Sequence, residues 1–162
     1  MHDRCDRKRR QHVPAGRRRC GRLPFIERQD RSCWRNAARS AAVGLAKPNA
    51  TRAYRLPCRY VIHTPGPIWR GGHAGEAVLL AGCYQNCLRI ASELNCKTVA
   101  FPSISTGVYR FPLNRAAEIA IRTIEEYLST HAEIEQVSMI CFDGTTLSAY
   151  QNALSEREAN HV

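Results

Sequence analysis

From Tyr60 to Ala153 the sequence alternates between two hydrophobic periods, and that alternation restricts the fold more than any other feature. Tyr60-Val61-Ile62-His63-Thr64 reads as a short buried strand, stopped by Pro65-Gly66-Pro67. Glu76 to Leu94 places apolar or small residues at Val78, Leu79, Ala81, Gly82, Leu88, Ala91 and Leu94, a helical spacing. Lys97 to Phe101 is a second strand, and Pro102 to Phe111 a polar loop that contains a glycine. Pro112 then opens a helix, as a first-turn proline can. Leu113, Ala116, Ala117, Ala120, Ile121, Ile124 and Leu128 line one face of that helix. Gln136 to Phe142 is a third strand, and Asp143-Gly144-Thr145 leads into a last helix through about Ala153. Strands separated by helices predict an α/β fold in which a parallel sheet is covered by helices. Ligands of such sheets sit at the carboxyl ends of the strands. Here those ends are His63-Thr64-Pro65, the loop from Pro102, and Phe142-Asp143-Gly144.

The first third of the chain follows a different grammar. The net charge is +10, and all of it lies in residues 1–49, which hold 14 Lys or Arg against four Asp or Glu. Arg7-Lys8-Arg9-Arg10 and Arg17-Arg18-Arg19 are charge runs with neither helical nor strand periodicity. Such a segment buries too little apolar surface to offset chain entropy. A basic tail of this kind ordinarily contacts nucleic-acid phosphates. No apolar run reaches the roughly 20 residues that span a bilayer, which argues against a membrane protein. The N-terminus has no apolar core of signal-peptide length, which predicts a cytoplasmic location. The eight cysteines lack the paired spacing of a zinc site and read as free thiols.

The loop Pro102-Ser103-Ile104-Ser105-Thr106-Gly107-Val108-Tyr109 carries the chemistry. Its small and hydroxyl residues let a backbone approach a ligand, and Gly107 permits backbone angles that other residues resist. Successive N–H groups in such a turn can cradle a pyrophosphate. Ser105 and Thr106 add hydroxyls, and Tyr109 can lay its ring along a sugar. The plain alternative is an ordinary serine-rich turn.

Taken together, Tyr60–Trp69 and Phe101–Tyr109 closely resemble the macro domain family, in its bacterial and MacroD-type branch. The likeness covers about two-thirds of the chain, from about Thr51 to Ala153. It implies a three-layer macro domain fold, with a largely parallel mixed sheet between helices and an irregular N-terminal third. It implies domain bounds of 1–49 for the basic segment, 50–155 for the macro domain part and 156–162 for a tail. It further implies that Ser103, Ile104, Ser105, Thr106, Gly107, Val108 and Tyr109 wrap a diphosphate and its distal ribose, with Phe142 beside the adenine. The ligand would be ADP-ribose or a derivative, including ADP-ribosylated protein, with no cofactor or metal and no nucleic acid. Family members of this branch deacetylate O-acetyl-ADP-ribose and remove ADP-ribose from acidic side chains, by a water placed between the diphosphate and the distal ribose. His63 reads as a packed histidine, and Asn114, Trp69 and Arg70 receive no ligand role.

The resemblance also implies an N-terminal third that carries a strand ending N-A-A-N, a glycine loop G-G-G-G-V-D-G and then A-I-H-R-A-A-G-P. Residues 1–49 contain none of these strings, so no catalytic residue is assigned in the chain as written. Their codons supply a reason. Asp3 to Gln11, read one base downstream with CGN arginine codons, admits I-D-V-I-V-N-A-A-N. His12 to Arg22 in that frame admits T-S-L-L-G-G-G-G-V-D-G. Pro24 to Asn36, read one base upstream, admits A-I-H-R-A-A-G-P-E-L-L-A-E-C. The expectation is therefore a frame-shifted macro domain over residues 2 to about 49. Three functions stand open: an ADP-ribosyl or O-acetyl-ADP-ribose ester hydrolase, a non-catalytic ADP-ribose reader, and a basic nucleic-acid-binding protein.

Overall fold

The computed structural model describes residues 12–14 and 48–159. In chain order these form β1 (His12–Pro14), β2 (Asn49–Arg52), β3 (Tyr60–His63), α1 (Glu76–Glu93), β4 (Thr98–Pro102), α2 (Leu113–Leu128), β5 (Gln136–Ile140) and α3 (Gly144–Ala159). One sheet has the order β1-β5-β4, and β2 and β3 form a separate pair.

β4 and β5 run parallel, with Thr98 opposite Gln136 and Pro102 opposite Ile140. The crossover between them is α2, as parallel neighbours require. β5 is buried from Gln136 to Met139, the signature of a strand covered on both faces. Fully buried Leu80, Tyr84 and Leu88 of α1, Ile121 and Ile124 of α2, Val137 and Met139 of β5, and Tyr150 of α3 form the centre of the core. α2 packs against both α1 and α3.

Several sequence expectations shift. β3 pairs antiparallel with β2, Asn49 opposite His63 and Arg52 opposite Tyr60, rather than joining a parallel sheet. Its four residues are half-buried, and among the described residues only its β2 edge is paired. Val78 and Leu79 belong to α1 but are 76% and 53% exposed, so they lie on its outer face and not in the core. On α2 the buried stripe takes in Ile119, Thr123 and Tyr127, which apolar spacing alone passed over, while Leu113 and Leu128 are half-buried at its ends. Pro112 is the N-cap of α2, one residue before its first turn. α3 continues to Ala159, so residues 156–159 are helical and not a tail.

β1 is the other difference. The sequence reading found no strand in residues 1–49, yet His12–Pro14 pairs antiparallel with β5, Val13 opposite Met139. Among the described residues β1 is an edge strand, and it ends in Pro14, a residue that edges tolerate because it has no N–H to donate. The rest of the 1–49 reading, residues 48 and 49 aside, lies outside the described residues, and with it the frame-shifted segment. No helix among the described residues is long and apolar enough to cross a membrane.

Candidate functional site

Because β4 and β5 are parallel and in register, their carboxyl ends open on one edge of the sheet. The loop from Ser103 leaves the end of β4, and Cys141 and Phe142 leave the end of β5. The sequence placed its candidate residues at strand carboxyl ends, and this arrangement sets both groups on one sheet edge. Within the group, Phe142 is 88% exposed and Val108 is 93% exposed, while Ser103, Ile104, Ser105 and Thr106 are half-buried. Tyr109 is 42% exposed, and its ring is free to meet solvent or ligand.

The two motif segments touch. The Trp69 N–H donates to the Tyr109 carbonyl at 2.9 Å. The Trp69 and Phe111 rings pack with centroids 4.7 Å apart, and the Arg115 guanidinium lies over the indole at 5.2 Å. Gly66 lies so close to the loop that a Cβ there would fall 2.3 Å from Ser105 Oγ and 2.8 Å from Ile104 Cγ2. Glycine is needed at Gly66 for this approach, since any side chain would displace the loop. Trp69, which received no role from the sequence, is a packing residue that fixes the far end of the loop.

Inside the loop the backbone is turned tightly. Phe111 N–H donates to the Ser105 carbonyl at 3.0 Å, and Arg110 N–H to the Gly107 carbonyl at 2.9 Å. Ser105 holds φ +65°, a left-handed conformation costing of order 1 kcal/mol in a non-glycine residue. Its Oγ is buried with no hydrogen-bond partner among the described residues. The N–H groups of Ser105, Thr106, Gly107, Val108 and Tyr109 likewise have no partner among the described residues. Five consecutive N–H groups without partners at the end of a parallel strand are of the kind that anion-binding turns present.

Other side chains brace this edge. Thr106 Oγ1 donates to Ser103 Oγ at 2.9 Å, its shorter contact, and lies 3.2 Å from the Ser103 carbonyl. Asp143 Oδ1 accepts the Thr146 N–H at 2.8 Å and caps the first turn of α3. That bond is the largest influence holding its carboxyl below the ordinary range. His63 lies in the β2–β3 ladder, with Nε2 3.1 Å from Thr51 Oγ1, and burial lowers its pKa. Asn114 is exposed on the first turn of α2. Cys58, Cys83, Cys87, Cys96 and Cys141 are free thiols. Burial pushes Cys87 up to about 12, which makes it inert. Among the described residues no cluster of His, Cys, Asp or Glu is arranged to hold a metal ion.

Sequence reasoning missed Glu76. Its carboxylate, 2% exposed, accepts the N–H groups of Arg70 at 2.9 Å, Gly72 at 3.2 Å and Ala74 at 2.8 Å. It thus anchors the connection from Trp69 to α1, which includes the left-handed glycines Gly71 and Gly72. Its own backbone N–H is the largest cause of a pKa held at about 2, burial opposes the shift, and the three loop N–H groups reinforce it. The folded value lies below the ordinary 4.5, so the stabilisation is complete above about pH 4.5 and fades as the pH falls toward 2. Glu76→Gln is expected to lower Tm by several degrees at pH 7. In thermal melts across pH the gap from the unsubstituted chain narrows below about 4.5; a gap independent of pH would show that the charge does not matter.

A sequence profile of the Macro domain matches residues 25–120. The chain belongs to the macro domain family. The matched span begins inside the basic segment, so the family likeness reaches before residue 49. A macro domain-containing protein of Chlorobaculum tepidum is 53% identical over 105 residues, 65% of this chain and 61% of its own length. An O-acetyl-ADP-ribose deacetylase of Enterobacter cloacae is 50% identical over 107 residues, 66% of this chain and 59% of its own. This macro domain chain therefore spans about three-fifths of the length of such relatives. Its fold superposes on an Oceanobacillus iheyensis macrodomain solved with ADP, at TM-score 0.67 and 36% identity, over 70% of this chain and 60% of that one. A Trypanosoma brucei macrodomain solved with ADP-ribose gives TM-score 0.61 and 30% identity, over 66% of this chain and 44% of that one.

Proposed function

We propose that this chain is an ADP-ribose-binding macro domain whose diphosphate cradle is the Ser103–Tyr109 loop. The observation that carries the reading is the run of free N–H groups from Ser105 to Tyr109 at the carboxyl edge of the β4–β5 sheet. Backbone donors in that geometry suit a pyrophosphate, and Phe142 on the same edge offers an apolar face to a base. Relatives named for O-acetyl-ADP-ribose deacetylation, and solved relatives holding ADP and ADP-ribose, support the ligand class.

The finer reading is hydrolysis of O-acetyl-ADP-ribose or of ADP-ribosyl esters on proteins, provided that the N-terminal part is translated in frame. The ribose-positioning asparagine and the loop aspartate that this chemistry needs are absent from residues 1–49 as written. That absence favours a non-catalytic reader or an inert product for the literal chain. Isothermal calorimetry with ADP-ribose, set against ribose 5-phosphate, tests the binding reading. ADP-ribose is expected to bind and the monophosphate to bind far more weakly, because it lacks the diphosphate; no heat with either would overturn the proposal. Turnover of O-acetyl-ADP-ribose by chromatography separates hydrolase from reader.

A further inference from the structure

Beneath the loop, two buried phenols outside both motifs extend the hydroxyls of Ser103 and Thr106 into a chain. The Ile104 N–H donates to Tyr84 Oη at 3.2 Å. Tyr84 Oη lies 3.4 Å from Tyr150 Oη, and the Tyr150 hydroxyl donates to Ser103 Oγ at 3.1 Å. On its other side Ser103 Oγ accepts from Thr106 Oγ1 at 2.9 Å. Both tyrosines have no exposed surface, and they come from different helices, α1 and α3. They meet at the one point where the loop leaves β4.

The proton count fixes a direction. Each phenol has one proton to donate. Tyr150 gives its proton to Ser103, so the Tyr84–Tyr150 contact is made by the Tyr84 proton. Tyr84 then accepts from Ile104, and Ser103 Oγ accepts from Tyr150 and from Thr106, whose one proton goes to the nearer acceptor, Oγ at 2.9 Å, rather than to the carbonyl at 3.2 Å. With its two acceptor sites occupied, the Ser103 hydroxyl keeps its own proton for an acceptor outside this set. Burial raises both phenols further above their ordinary values, so they remain protonated donors across the physiological range.

We propose that Tyr84 and Tyr150 are positioning residues for the anion-binding loop, holding Ser103 so that its hydroxyl donates to an anionic oxygen of the bound diphosphate. This deepens the ADP-ribose reading and rests on it. Neither tyrosine touches the ligand; both act through Ser103 and Ile104. Successive hydroxyls polarise one another, which makes the terminal donor stronger than a lone serine.

Phenylalanine at each position keeps the ring and removes only the hydroxyl. Tyr150→Phe is expected to weaken ADP-ribose binding roughly tenfold in calorimetry. Ser103→Ala weakens it by a similar or larger factor. The decisive measurement is the cycle: in a Ser103→Ala background, Tyr150→Phe is expected to change affinity less than twofold. Independent losses that multiply would show that Tyr150 merely supports the core and would overturn the proposal. Tyr84→Phe deprives the Ile104 N–H of its acceptor, and its amide hydrogen exchange is expected to rise about tenfold or more, with the exchange of β5 unchanged. Unchanged exchange at Ile104, or a uniform rise throughout, would also overturn it. If the unsubstituted chain takes up no ADP-ribose, the proposed function falls, while the exchange arm still decides whether the tyrosines hold the loop.

Discussion

A chain in which residues 2–49 are replaced by the restored reading frames is expected to bind ADP-ribose several powers of ten more tightly than the chain as written. The reason is geometric. On the proposed function, the described residues furnish one wall of the ADP-ribose site: the Ser103–Tyr109 loop, approached closely by Gly66, bonded to Trp69 and leaving the end of β4. The ribose-positioning asparagine and the glycine loop that the family resemblance calls for are encoded, on the frame-shift proposal, but not translated. With one wall only, the ribose hydroxyls stay hydrated and the phosphates are half-cradled. A charge-assisted hydrogen bond contributes about 1.5–3 kcal/mol, and losing two or three of them costs at least a hundredfold in affinity. The packing points the same way. Val78 and Leu79 on α1 are exposed, and so are Ile68 and Tyr54, large apolar side chains that a further packed segment would cover. The literal chain is therefore expected to bind an apolar-surface dye before it unfolds, and the restored chain to lose that binding. Calorimetry with ADP-ribose on both chains measures the effect. Equal affinities would mean that the N-terminal third plays no part in the site, and an intact single frame at the locus would refute the frame shift outright.

How far the sequence disclosed this molecule depended on what each stretch had to bury. α2 was legible because its buried stripe repeats at helical spacing through Ala116, Ala120 and Ile124. β4 and β5 were legible as apolar runs bounded by polar loops, and their parallel pairing followed from the helix between them. The antiparallel β2–β3 pair was hidden, because Asn49–Arg52 has no apolar alternation and its register is set by the partner strand. β1 was hidden for a similar reason. Three residues are too short for a period, and β1 owes its pairing to the free edge of β5. Among the site residues, the loop was legible from its composition and its place after a strand. Glu76, Tyr84 and Tyr150 were not, since a buried carboxylate or phenol on a helix carries no mark in sequence until its partners are known. Tyr84 of α1 and Tyr150 of α3 stand 66 residues apart along the chain. Only folding brings them under the loop.

Gly107→Val separates the fold from the ligand more cleanly than any other single change. A Cβ built at Gly107 meets no atom within 4 Å, and the residue is exposed. Its φ lies outside the left-handed range that disfavours side chains. The fold thus has no reason to resist the substitution, and Tm is expected to move by less than about 2 °C, as for other exposed positions. The ligand does have a reason. Gly107 lies at the centre of the five free N–H groups, and the isopropyl group would project into the open space that a diphosphate must enter to reach them. Pushing the phosphates away by the radius of a methyl group lengthens each N–H···O contact beyond hydrogen-bonding range, and the neighbouring donors cannot follow without breaking the Arg110–Gly107 and Phe111–Ser105 bonds. Two lost charge-assisted bonds amount to about 3–6 kcal/mol, roughly a hundredfold to ten-thousandfold in affinity. Gly66→Ala supplies the contrast, because its Cβ would strike Ser105 Oγ at 2.3 Å and so must disturb loop and stability together. Calorimetry and thermal melts on the restored chain carrying each change measure both quantities. Gly107→Val with wild-type affinity would place the diphosphate elsewhere, and the Ser103–Tyr109 loop would then be no more than a turn between β4 and α2.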